Sequence, residues 1–130
     1  MNNKQLGIVY AKLASMNSVH PNHRVGAAVF CGVSDNFILG YNIKQNISDK
    51  TTHAEELALS RLPENFTPDV IFITHPPCFD CAKLIVNTKI TKVITKKRTL
   101  SSDWQEKWSA SCDAARKLLS DNFIILEEIS

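Results

Sequence analysis

The feature that most constrains this 130-residue chain is a pair of short motifs, His53-Ala54-Glu55 and Pro77-Cys78-Phe79-Asp80-Cys81. Each reads as the start of a helix. Thr52-x-x-Glu55 precedes the apolar positions Leu57, Ala58 and Leu62, while Pro77 stands just ahead of Ala82, Leu84, Ile85 and Val86. A fold that uses both motifs must bring two helix N-termini together. Side chains in a first turn lean toward the N-terminus, so His53 and Glu55 reach the space ahead of their helix. A helix N-terminus also favours thiolates at Cys78 and Cys81. Each motif has a plainer reading. Thr52 and Glu55 match a capping box, in which Glu55 only accepts a backbone N–H. Cys-x-x-Cys is also the spacing of a redox pair, although no Trp-Cys context accompanies it. With a fourth ligand from Cys31, Cys112 or His75, it would form a structural zinc site.

Taken together, His-x-Glu followed by Pro-Cys-x-x-Cys resembles the signature of the zinc-dependent nucleobase deaminases. The resemblance extends over nearly the whole chain and is most similar to deoxycytidylate deaminases. It implies that His53, Cys78 and Cys81 hold Zn2+ and leave its fourth tetrahedral position to water, whose pKa falls toward about 7. Glu55 then becomes the general acid–base that carries protons. The same resemblance gives Val25-Gly26-Ala27 and Gly40-Tyr41-Asn42 to the substrate. Ala27 would line the base pocket and Asn42 would bond the sugar. Read alone, Asn42 is a turn residue closing a strand. Ala54 and Pro77, inside the two motifs, are assigned to the substrate with them. Arg24, in the loop with His20 and His23, is either a solvated charge or part of a rim that meets sugar or phosphate.

Size and composition set the class. A chain of this length makes one domain, 1–130, with a single core. Its 44% hydrophobic and 22% charged residues are those of a globular protein, and a net charge of +2 neither requires nor excludes nucleic acid. Beyond the paired cysteines, Cys31 lies in an apolar run and Cys112 on a helix stripe, so both read as small core residues. With no disulfide framework, no signal peptide and no apolar run near 18 residues, the expected home is a cytoplasm, without membrane association.

Hydrophobic periodicity supplies the rest. Leu6, Val9, Tyr10, Leu13 and Met16 mark a helix over 3–17, capped by Asn2 or Asn3. Val25–Cys31 and Phe37–Asn42 flank the turn residues Ser34-Asp35-Asn36 and read as a hairpin. A helix from His53 to Leu62, a strand over Val70–Thr74, a helix from the cysteines to about Thr88 and a strand at Val93–Thr95 follow. Trp104, Trp108, Cys112, Ala115, Leu118 and Leu119 then mark a long helix, with Ser102 and Gln105 as a capping-box candidate, and Phe123–Leu126 reads as the last strand. A strand–helix–strand crossover makes the last two strands parallel. The expected fold is therefore α/β: a three-layer α/β/α, cytidine deaminase-like domain with a mixed sheet of about five strands.

That parallel pair, together with His-Ala-Glu rather than Cys-Ala-Glu, resembles deaminases of nucleotides and larger substrates rather than of free cytidine. The expected activity is hydrolytic deamination of a cytosine nucleotide, dCMP to dUMP, in a homo-oligomer. The chain departs from the deoxycytidylate pattern at Ile43, where Gly often follows Gly-Tyr-Asn. Two alternatives stand beside it. Asp49-Lys50-Thr51-Thr52 is similar to the loop before the same motif in tRNA adenosine deaminases, which makes nucleic acid a second partner class. Lys89, Lys92, Lys96, Lys97 and Arg98 form either a solvated face or a surface for phosphate, RNA or a neighbouring subunit. From another class comes a catalytically silent zinc domain. The two Trp residues read as anchors that pack the long helix on the sheet or on a neighbour.

Overall fold

A computed structural model describes residues 1–20, 23–44, 51–97 and 105–129. Helix α1 (Asn3–Ser15) starts on Asn2, whose Oδ1 accepts the Gln5 N–H at 2.8 Å while Gln5 Oε1 accepts the Asn2 N–H at 3.0 Å. Two of the orphan donors of a helix start are thereby satisfied. Strands β1 (Gly26–Cys31) and β2 (Asn36–Tyr41) form the expected hairpin, with Asp35 at φ 55° in its turn. Then come α2 (Ala54–Ser60), β3 (Val70–Ile73), α3 (Phe79–Val86), β4 (Lys92–Lys96), α4 (Gln105–Asp121) and β5 (Ile125–Ile129). Trp104, Ser102, Arg98 and the Asp49-Lys50 segment lie outside the described residues.

The five strands form one sheet in the order β2-β1-β3-β4-β5. Strand β1 runs antiparallel to β2 and β3, whereas β3, β4 and β5 are parallel, as the crossover argument requires. Alternation along the strands divides the core into two layers. Ala27, Val29, Ile71, Ile73 and Val93 face α2, α3 and α4 through Ala54, Ala58, Ala82, Ile85, Ala115 and Leu119. Ala28, Phe30, Phe72 and Ile94 face α1 through Ala11. Cys31 and Cys112 are buried, as their sequence context suggests. No helix among the described residues is long and apolar enough to cross a membrane.

The last strand begins later than the apolar run indicates. Phe123 is not in it: its φ is 60° and its side chain is 93% exposed. It ends α4 in a left-handed turn, with Phe123 N–H donating to the Ser120 carbonyl and Ile124 N–H to that of Leu119. These two bonds make a Schellman closure, which takes precedence over the β-propensity of an exposed phenyl ring.

Register fixes where the chemistry lies. Gly26 opposes Tyr41, and Ala27 opposes Ile73, so the end of β2, the start of β1 and the end of β3 share one edge. Thr74 reinforces that edge: its N–H donates to the Gly26 carbonyl, and its Oγ1 accepts the Gly26 N–H, both at 3.0 Å. The chain leaves this edge toward α2 and α3, so both motif-bearing helices start there.

Candidate active site

Two helix caps bring the motif residues together. His53 is the N-cap of α2 and Cys78 the N-cap of α3, with Cys81 one turn further along. The Phe79 N–H donates to Ser111 Oγ at 2.9 Å, which ties the start of α3 to α4. His53 Nδ1 lies 3.1 Å from Cys81 Sγ and 3.5 Å from Cys78 Sγ. Among the described residues these three donors are the one His, Cys, Asp and Glu group close enough to share a metal, all within 4.8 Å of one another.

The donor set fits zinc. A tetrahedral zinc at ordinary Zn–N and Zn–S lengths places nitrogen and sulfur roughly 3.5 Å apart. The protons respond to the same crowding. The Cys81 thiol donates to Cys78 and, helped by His53, pulls the Cys78 thiol down to about 4. Cys81 is correspondingly pushed up, first by that hydrogen bond and then by burial. The Cys78 thiolate in turn raises His53. A pair of sulfurs that holds a proton beside an imidazole is a place where a divalent cation displaces that proton.

Glu55 is buried, 4% exposed, and lines the same cleft. Burial pushes its carboxyl above the ordinary value, against the opposing pull of its backbone hydrogen bond and of His53. It does not cap the helix. Glu56 does, with its Oε1 accepting the His53 N–H at 3.2 Å. The capping-box reading of Thr52 and Glu55 is therefore corrected by one residue in register at both ends.

The cleft holds about 360 Å³. His53, Ala54 and Glu55 line it together with Val25, Asn42 and Pro76. His20, His23, Lys44 and Thr51 line it as well. Burial and the neighbouring charges of His23, Lys44 and His53 hold His20 below its ordinary value. Asn42 is buried and braces the loop before β1: its Oδ1 accepts from Ser18 Oγ at 2.5 Å and from the Val25 N–H at 2.8 Å, while Nδ2 donates to the His23 carbonyl at 2.7 Å. One Nδ2 proton remains for a ligand. Ala27 is fully buried in β1, Pro77 is buried beside the lining residue Pro76, and Arg24 lines a different cavity.

Lys44, Pro76, His75 and Trp108 line the cleft without being assigned to it by the sequence, and the last two form a pair. Trp108 lies in the first turn of α4 and His75 in the connection from β3 to α3, with ring centroids 5.3 Å apart, and both line the cleft. The signal that finds them is topological. Helix α4 follows β4 in a parallel pair, so its first turns lie at the carboxyl ends of the strands, where clefts in α/β sheets form. Trp108 is thus a cleft wall rather than solely a packing anchor.

The pattern described as the cytidine and deoxycytidylate deaminase zinc-binding region matches residues 1–97. The chain belongs to this family. An Aliivibrio fischeri protein called "Uncharacterized deaminase in luxG 3'region" is 39% identical over 66 residues, which cover 49% of this chain and 45% of that protein. The match thus spans less than half of that deaminase. Among solved structures, the dCMP deaminase of cyanophage S-TIM5 in apo form is 22% identical with a TM-score of 0.75, over 99% of this chain and 100% of that one. The cytidine deaminase of Mycobacterium leprae is 22% identical with a TM-score of 0.62, over 73% of this chain and 89% of that one. This deaminase-family chain therefore has the cytidine deaminase fold.

Proposed function

We propose that this chain is a zinc-dependent hydrolytic deaminase of a cytosine nucleotide, converting dCMP and water to dUMP and ammonia. The observation that carries the reading is the approach of His53, Cys78 and Cys81 to one another beside a buried carboxyl, Glu55, that lines a cleft with His53. His53, Cys78 and Cys81 would hold the zinc. Zinc, when bound, supplies Lewis-acid chemistry that makes water nucleophilic at neutral pH.

The chain's own groups carry the protons. Glu55 takes one from the water that adds to C4 of the base and delivers it to the ring nitrogen N3. It then takes the remaining proton of the added oxygen and gives it to the amino nitrogen. The C4–N bond breaks, ammonia leaves, and C4 keeps the oxygen. A carboxyl whose pKa is raised by burial is suited to both directions of transfer, a contribution of about 10²–10⁴-fold.

The cleft lining supports a phosphorylated substrate. Its polar lining carries Lys44 and the imidazoles of His20 and His23, and among the described residues Glu55 is its one carboxyl group. Such a rim suits a phosphate, with Asn42 offering an amide proton to the sugar. A second S-TIM5 dCMP deaminase structure, 21% identical, holds dCMP and dUMP. That ligand pair makes dCMP the first substrate to try.

Ammonia release should be assayed with dCMP, cytidine and an adenosine-containing tRNA. Turnover of dCMP above cytidine is the expected result. Zinc-loaded protein that ignores dCMP and acts on tRNA would move the substrate to nucleic acid. Zinc-loaded protein inert toward all three would favour a silent zinc domain.

A further inference from the structure

A second cavity of about 300 Å³ opens on the α1 face of the sheet, on the side away from the metal cluster. Four α1 residues on one helical stripe border it: Ile8, Ala11, Lys12 and Ser15. Its floor is apolar, built on Phe72 of β3 and Ile94 of β4. Lys96 follows Ile94 by two positions and so lies on the same face. Arg24 and Thr74 complete the polar wall.

Three cations converge on this space, and among the described residues no carboxylate lines it. Elsewhere among the described residues, Lys4 and Lys92 pair with Glu127, Lys83 with Asp80, Arg116 with Glu128, and Lys117 with Asp121. Lys12, Arg24 and Lys96 have no such partner among the described residues. Three like charges facing one concavity repel one another, and a multivalent anion relieves that repulsion. Thr74 Oγ1 already accepts the Gly26 N–H, so its own proton is the part left to offer a ligand. Ser15 donates to the Lys12 carbonyl at 2.6 Å and keeps its lone pairs.

We propose that this cavity is a second ligand site, distinct from the cleft, for a small phosphorylated molecule. Lys12, Arg24 and Lys96 take the phosphate, while an apolar or aromatic body rests on Phe72 and Ile94. The volume stands at the lower end of small-molecule pockets, roughly 300–1,000 Å³. A cavity of this size suits a compact ligand better than a polymer backbone. Arg24 is separated from the cleft although its neighbours are not: His23 and Val25 line the cleft, and the residue between them lines the second cavity.

Phenyl phosphate is a suitable probe, titrated by calorimetry into the full chain at moderate salt. The controls are Lys12→Ala, Lys96→Ala and Lys44→Ala, each checked for fold by circular dichroism. Both lysines of the second cavity are exposed, so their loss leaves the core intact. The expected result is saturable binding, weakened about tenfold by Lys12→Ala and by Lys96→Ala and unchanged by Lys44→Ala. Affinity unchanged in the first two variants, or no binding up to millimolar probe, overturns the proposal. A loss confined to Lys44→Ala places the phosphate in the cleft and overturns it equally.

Discussion

Glu56 Oε1 caps the His53 N–H at 3.2 Å, and this single bond separates two adjacent glutamates by role. Glu56 is exposed and structural, whereas Glu55 is buried in the cleft. Replacing Glu56 by Ala should cost about 0.5–2 kcal/mol of stability, the usual range for a lost helix cap. A denaturant melt should show that loss with the deaminase reaction retained in folded protein.

Gly40 sets how closely α2 can approach the sheet. A Cβ at this position would collide with the Ala54 carbonyl and the Ala58 N–H, both backbone groups of α2. Backbone cannot swing aside as a side chain does, so α2 must shift. Gly40→Ala should destabilise by roughly 1–3 kcal/mol. Because His53 and Glu55 ride on that helix, zinc affinity should fall too. Melting and zinc titration of the same protein check both effects.

Phe123 holds a left-handed conformation that costs a non-glycine residue roughly 1–2 kcal/mol, and its exposed ring gains little packing in return. Phe123→Gly should therefore stabilise the fold by about 1 kcal/mol. A rise in denaturation midpoint with unchanged slope is the expected observation.

This residue also shows where the sequence is legible and where it is not. The five strands, the parallel last pair and both motif helices follow from periodicity and crossover handedness. Phe123 lies in an apolar run, and only its long-range context reveals that it closes a helix. Trp108 shows the same limit. Its spacing marks it as helical, but which wall of the cleft it forms depends on where α4 begins relative to β4. For His53, Cys78 and Cys81 the two motifs are short and legible, although the groups they bring together lie 25 and 28 positions apart. The brace made by Asn42 to Ser18, His23 and Val25 spans up to 24 positions and leaves no local signal.

Glu127 on β5 binds Lys4 of α1 and, at 3.2 Å, Lys92 of β4. Lys4 first and Lys92 second hold its carboxyl below the usual value of 4.5. A depressed carboxyl stabilises the fold above its unfolded pKa and loses that contribution as pH falls through the folded one. The wild type should thus exceed Glu127→Gln in stability at neutral pH by at most about 1 kcal/mol, given the solvent-screened position. That difference should shrink below about pH 4.5 and grow no further above it. Paired melts across pH 3–7 read the difference directly.

The central claim is that His53, Cys78 and Cys81 hold the metal while Glu55, unligated, moves the protons. Measuring zinc content and dCMP turnover together in purified Glu55→Gln protein tests it most directly. The account predicts one zinc per chain, as in wild type, with ammonia release reduced by at least about 10²-fold. Full turnover without the carboxylate, or loss of zinc along with it, would contradict that division of labour.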